Sequence, residues 1–187
     1  MMLVKAIQQK TNTWSGGTTT ELFIYPPDSE YNKHNFEFRV STATVNVEES
    51  TFTQLPGYKR ILMILKGELF IEHKNHYSNY LKQYDCHEFL GAWETQAKGK
   101  VIDFNLMMNE KTNGAISIIT YNKQTKNLIA FNSNDFIAFY IVEGSSTINS
   151  KHLSTNDFII FEKEKSDELI LIAPLEDCKI VKIVVAV

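Results

Sequence analysis

Nothing in this sequence is basic enough to hold a nucleic acid or apolar enough to span a bilayer. Its 19 Lys and Arg against 22 Asp and Glu leave a formal charge of −3, whereas phosphate backbones are bound by concentrated cationic surfaces, so nucleic acid is excluded as a partner. No apolar run approaches the roughly 18 residues of a membrane span, and no membrane partner is expected. The opening MMLVKAIQQK lacks the charged start, apolar stretch and small-residue cleavage site of a secretory signal, and a cytoplasmic location is expected. Cysteine is scarce. Cys86 and Cys178 stand far apart without a CxxC or Cys/His spacing, which excludes a disulfide scaffold and a zinc knuckle and leaves two ordinary, buried or half-buried thiols.

What is present is a chain of 187 residues, 43% hydrophobic and 12% aromatic, too apolar for disorder and long enough for one large β domain or two small fused ones. Helical periodicity is rare. Short runs of Ile, Val, Phe, Tyr and Thr recur between Gly, Pro, Asn, Asp and Lys clusters. They predict strands at Leu3 to Gln8, Glu21 to Tyr25, Phe36 to Val47, Arg60 to Leu65, Glu68 to His73 and Val101 to Met108. Further strands are expected at Ala115 to Thr120, Phe136 to Val142, Asp157 to Phe161, Leu169 to Ala173 and Lys179 to Val187. So many closely spaced strands make the fold all-β, a sandwich or barrel.

Two segments read as imperfect copies. ILMILKGELFIEHKNHYSNYLKQYDCHEF from Ile61 and IAFYIVEGSSTINSKHLSTNDFIIF from Ile137 each run strand, glycine turn (Gly67, Gly144), strand, polar hairpin and an Asp-led strand (Asp85, Asp157). A duplicated β unit suggests two barrels in one chain. The pattern resembles the cupin jelly roll, whose barrel usually holds a metal on His and Glu side chains. Here the carboxylate's place, seven residues before Gly67, is taken by Arg60. None of His34, His73, His76, His87 and His152 stands in HxH or HExxH, and His73-Lys74-Asn75-His76 reads as a surface hairpin. No metal and no other cofactor is expected.

Only eight glycines occur, two of them adjacent in Trp14-Ser15-Gly16-Gly17-Thr18-Thr19-Thr20-Glu21-Leu22. Such a pair serves a turn through positive φ or a close backbone approach. GxxxxGK[ST] and GxGxxG are both absent, so the segment is no phosphate loop. It either brings Trp14 and the threonine hydroxyls, Thr19 among them, over the mouth of the first barrel, or forms a bulge or hairpin with Trp14 in the core.

This WSGGTTTEL block, FRVSTA (Phe38 to Ala43), FTQLPGYKR (Phe52 to Arg60), the ILKG turn, FLG (Phe89 to Gly91) and DFNLM (Asp103 to Met107) occur in the order found in the HutD/Ves family, which the chain resembles over its first 110 residues. The resemblance implies a bicupin of two jelly-roll-like β-barrels. Residues 1–110 would form a barrel carrying the family blocks and residues 111–187 a second, cupin-like barrel, with strands exchanged between the halves. It also implies a connection with histidine utilisation or a stress response, and no established reaction.

Alternation in Val101 to Met108 puts Ile102, Phe104, Leu106 and Met108 on one face and Val101, Asp103, Asn105 and Met107 on the other. Asp103 and Asn105 face either a partly dry cavity or water. In Phe36 to Val45, Arg39, Ser41 and Ala43 share the face opposite Phe38 and Val40. Arg39 and Arg60 are either paired with acids such as Glu21 or Asp103 for structure, or they line a cavity and offer planar forks to a carboxylate. The expected site is Arg60 and Arg39 on the anion, Glu21, Asp103, Asn105 and Ser41 orienting it, Thr19 at the mouth, and Trp14 and Phe52 as the cover. No nucleophile and base pair is readable from spacing. The function expected is non-enzymatic binding of a small anionic metabolite that the protein senses or buffers. The alternatives are a metal-independent isomerase or hydrolase with Glu21 or Asp103 as base, and a protein-binding module. Pairing of two copies through sheet edges, a homodimer, is compatible with the pattern.

Overall fold

The computed structural model describes residues 1–123, 125–130, 136–162 and 169–187. Among the described residues the chain is all-β apart from two single turns of 3-10 helix, Ala6–Gln8 and Tyr31–Lys33. In chain order the strands are β1 (Met2–Val4), β2 (Lys10–Trp14), β3 (Gly17–Tyr25), β4 (Phe38–Val45), β5 (Glu49–Thr51), β6 (Tyr58–Lys66), β7 (Leu69–His73), β8 (Ser78–Leu81), β9 (Cys86–Leu90), β10 (Thr95–Lys98) and β11 (Ile102–Asn109). They continue as β12 (Asn113–Tyr121), β13 (Asn127–Ala130), β14 (Phe136–Glu143), β15 (Ser145–Ile148), β16 (Lys151–Ser154), β17 (Phe158–Glu162), β18 (Leu169–Pro174) and β19 (Cys178–Ala186).

Two compact units result, Lys10–Thr112 and Met1–Gln9 with Asn113–Val187. In the first, a six-stranded sheet (β2-β3-β4-β11-β6-β9) and a four-stranded sheet (β5-β10-β7-β8) enclose a core of Leu62, Ile64 and Phe89 from one and Leu69, Ile71 and Leu81 from the other. In the second, a five-stranded sheet (β1-β17-β14-β19-β12) and a four-stranded sheet (β13-β18-β15-β16) do the same with Phe139, Ile141, Ile159 and Ile180 against Ile148, Leu153, Ile170 and Ile172. The expected barrels are not closed. Among the described residues every sheet ends in two unpaired edges, so each unit is a sandwich of two open sheets, which buries one face of each without needing closure.

The two segments that read as copies share a hydrogen-bond pattern. In one, Ile64 N–H donates to the Asp85 carbonyl and Tyr84 N–H to the Ile64 carbonyl; in the other, Ile141 and Asn156 do the same with Asp157 and Ile141. Asp85 accepts from the Lys82 N–H and Asp157 from the Ser154 N–H, each three residues upstream. Gly67 and Gly144 both turn at positive φ, 88° and 78°, a conformation in which a side chain would be strained.

Several strand assignments shift. The predicted strand Leu3 to Gln8 stops at Val4, because Ala6–Gln8 coils into the 3-10 turn whose Ala6 N–H donates to Asp157 Oδ1 at 2.9 Å. Lys5 adds an ion pair to Asp157 Oδ2 at 2.8 Å, and β1 is thereby tied beside β17, with Met2 opposite Ile160. Cys178 is buried, but Cys86 is exposed rather than half-buried. The turn His73 to His76 is only partly superficial: His76 is exposed while His73 is buried.

His73 sits in a chain of neutral groups. Its Nδ1 lies 2.8 Å from Thr95 Oγ1, and the Thr95 hydroxyl donates onward to the Trp93 carbonyl. His73 therefore donates through Nδ1 and accepts at Nε2, where His87 Nε2 approaches to 2.8 Å as the donor. His87 Nδ1 is then the acceptor facing the Asn79 amide, at 3.4 Å. A proton added to either ring would set two donors against each other, and burial together with the neighbouring imidazoles holds His73 down at about 4.

Candidate functional site

The site grows from strand alternation on the inner face of the six-stranded sheet. In β4, Arg39, Ser41 and Ala43 share a face, and β11 sets Met107, Asn105 and Asp103 opposite them in register. Strand β6 flanks β11 on its other side and brings Arg60 opposite Met107, so both arginines border one methionine. Further along the same face β6 presents Leu62 and Ile64, which belong to the apolar core. Asn105 and Asp103 on β11 lie level with Leu62 and Ile64 on β6, so the inner face divides across the strands into a polar side on β4 and β11 and a dry side on β6, with Arg60 as the polar exception on β6. Phe104, Leu106 and Met108 on the reverse of β11 are also fully buried, which leaves the strand little freedom to move its polar side chains.

The polar side opens into a cavity of about 380 Å³. Of the residues expected at the site, Arg60, Arg39, Asp103, Asn105, Ser41, Thr19, Trp14 and Phe52 all line it. Glu21 stands behind them and holds Arg39, its Oε2 accepting from Arg39 Nε at 2.7 Å. Arg39 also donates to Ser41 Oγ at 3.1 Å and lies 4.6 Å over the Tyr31 ring. Its fork is thus largely committed to the protein. The lining also includes Asn12, Thr13, Tyr31, Ser50, Thr51 and Thr53, none of which the sequence singled out. They come from an exposed hairpin, a 3-10 turn and the short strand β5 with its following loop, where no alternation marks which side chain points inward.

Arg60 differs from Arg39. It is 3% exposed, donates one bond from Nη2 to the Thr53 carbonyl at 2.8 Å, and rests against the rings of Phe52 and Phe89. Its Nε has no hydrogen-bond partner, and among the described residues no carboxylate forms an ion pair with it. Burial presses the Arg60 pKa down, Tyr31 and Asp103 pull it back up, and Arg39 pushes it down again; a guanidinium stays charged through such shifts. Asp103 is 3% exposed. Burial raises its carboxyl to about 7, against the lowering influence of Asn105 and Arg60. Asp103 Oδ1 and Asn105 Oδ1 are buried acceptors without a donor, an arrangement that costs free energy unless something supplies one.

The glycine pair forms the wall. Trp14 pairs with Gly17 at the end of the β2–β3 hairpin, and a Cβ on Gly16 would meet the Trp14 ring at 2.1 Å, so the indole lies across Gly16 at the cavity rim, half out of the protein at 39% exposure. Of the two readings of Trp14, the core position is not the one adopted. Neither glycine has positive φ. Gly17 is needed for approach: a Cβ there would stand 1.9 Å from the Thr44 carbonyl oxygen of the adjacent strand. Gly17→Ala is expected to cost about 1–3 kcal/mol by forcing β3 off β4, read as a lowered urea midpoint with an unchanged m-value. An unaffected midpoint would mean that the hairpin moves freely.

A family model, HutD, matches residues 6–175. The chain belongs to the HutD family. Among solved structures it is similar to a conserved protein of unknown function from Pseudomonas aeruginosa PAO1, with a TM-score of 0.84 at 16% identity over 100% of this chain and 98% of that one. It is also similar to HutD from Pseudomonas fluorescens SBW25, solved in a formate condition, with a TM-score of 0.77 at 16% identity over 97% of both chains. The cupin-like fold extends further, to the bacterial pirin YhhW from Escherichia coli in complex with nickel(II), with a TM-score of 0.74 at 10% identity over 98% of this chain and 97% of that one. In this HutD family member no three His, Cys, Asp or Glu side chains gather closely enough among the described residues to hold a metal ion. No helix among them is long and apolar enough to cross a membrane.

Proposed function

We propose that this protein is a non-enzymatic, cytoplasmic bicupin, two jelly-roll halves in one chain, that binds a small carboxylate metabolite in the cavity of its first unit and senses or buffers it. The observation that carries the reading is Arg60, a buried guanidinium whose Nε has no partner and which, among the described residues, no carboxylate neutralises by direct contact. A cation in that position creates a field that an anion relieves, and the planar fork suits a carboxylate. Arg39, already held by Glu21, shapes the cavity and adds charge without being the principal contact. The polar rim of Thr13, Ser50, Thr51 and Thr53 supplies hydrogen-bonding groups for the rest of a small polar molecule. Membership of the HutD family favours a role in controlling histidine utilisation.

A thermal-shift screen of urocanate, formiminoglutamate, formylglutamate, glutamate and simple dicarboxylates is the test. A ligand at about a hundredfold excess over Kd stabilises the fold by about 2.7 kcal/mol. The shift should survive moderate salt and disappear in Arg60→Ala. A variant that responds as the wild type does would make Arg60 structural only.

Asp103 gives the second reading its one specific support, since a carboxyl titrating at about 7 in a cavity is placed for general base work. Turnover of a screened compound that is lost in Asp103→Asn would favour a metal-independent isomerase or hydrolase over binding alone.

A further inference from the structure

We propose that the cavity takes up its anion together with one proton, which Asp103 holds. This rests on the reading that the cavity binds an anion. Asp103 lines the same cavity as Arg60 and is buried, and its Oδ1 has no donor. Asn105, two residues away on the same face of β11, also presents an unpartnered Oδ1. An ionised Asp103 can only accept hydrogen bonds. A carboxylate ligand entering toward Arg60 would bring further acceptors into a space already crowded with them, and would set a second negative charge beside the first.

A proton on Asp103 resolves both conflicts. It removes the repulsion and turns an acceptor into a donor that can serve the ligand or Asn105 Oδ1. The proton comes from solvent, and no bond other than O–H is made. The groups that face Asp103 leave no better place for it. Arg60 from β6 and Arg39 from β4 are cations, and Glu21 from β3 is held in its ion pair with Arg39. Tyr31 leans on Arg39, and β5 and the loop after it offer Ser50, Thr51 and Thr53, which do not titrate in this range. Ligand-free, Asp103 already titrates at about 7 with Arg60 pulling it down. An anion on Arg60 cancels that pull, so the bound state holds the proton more tightly than the free state does.

The experiment uses lactate and formate, both essentially fully ionised from about pH 6 to about pH 9, titrated calorimetrically into the wild type and Asp103→Asn. Each titration is run in two buffers of different ionisation enthalpy. The expected result is wild-type affinity about tenfold or more weaker at the alkaline end, with close to one proton taken up per anion there. Asp103→Asn, which mimics the protonated carboxyl, should keep its acid-end affinity throughout and take up none. Binding with a flat pH profile and no proton uptake would overturn this proposal and leave the anion site standing. An Asp103→Asn protein that retains the wild-type profile would place the proton elsewhere and overturn it equally. No binding of either probe at about pH 6 would overturn the anion site and this proposal together. Should the variant fail to fold, the proton count on the wild type alone decides.

Discussion

Asp103→Asn is expected to stabilise the protein by about 4 kcal/mol at about pH 8.5 and to change little at about pH 3.5, as read from urea midpoints. The folded carboxyl titrates at about 7, above its ordinary value of 3.8, so between those limits the folded state holds a proton that the unfolded chain has released. Stability therefore falls as pH rises through that window, by about 1.4 kcal/mol per unit for one group. The advantage of the neutral carboxyl is complete below about 4 and gone above about 7. The amide is neutral throughout and escapes the loss. A variant less stable than the wild type at alkaline pH would show instead that the ionised carboxylate anchors Arg60.

The same background should reveal a second group. In Asp103→Asn, stability is expected to rise by about 3 kcal/mol from about pH 4 to about pH 6.5, whereas the wild type stays much flatter. His73 is held down at about 4, so over this window the unfolded chain carries a proton that the folded state refuses, and stability grows with pH. Asp103 contributes the opposite slope over nearly the same interval, and in the wild type the two largely cancel. His87, lowered by burial, belongs to the same hydrogen-bonded unit and adds to the effect. A flat profile in the variant would mean that the His73–His87 contact accommodates a charge, contrary to its donor and acceptor pattern.

What was legible in the sequence depended on how many residues of a strand are buried. Strands β4, β6, β11, β14 and β19 each bury several side chains, and their apolar runs announce them. Ser78–Leu81 and Lys151–Ser154 bury one residue each, Leu81 and Leu153, and no alternation can be read from a single point. The polar residues on the strands of the candidate site were legible for a related reason. Arg39, Asp103 and Asn105 alternate with buried apolar residues on strands that could be located, so their common face followed. The rim residues and the His73–His87 contact were not, because the rim sits on turns and the histidines meet across two sheets. His73 itself lies in a stretch, His-Lys-Asn-His, whose polarity describes only the half of it that reaches solvent.

The docking of β1 sets a schedule for synthesis. A ribosome delivers Met2–Val4 long before their partners Phe158–Ile160 and the carboxylate of Asp157 that grips Lys5 and Ala6. At about 5–20 residues per second β1 waits on the order of ten seconds or more, while Lys10–Thr112 has every strand it needs to close its own sandwich. Met2–Val4 are thus made well before they can find their place, and a nascent chain stalled before residue 157 should carry a folded Lys10–Thr112 unit with a loose, protease-sensitive segment ahead of it.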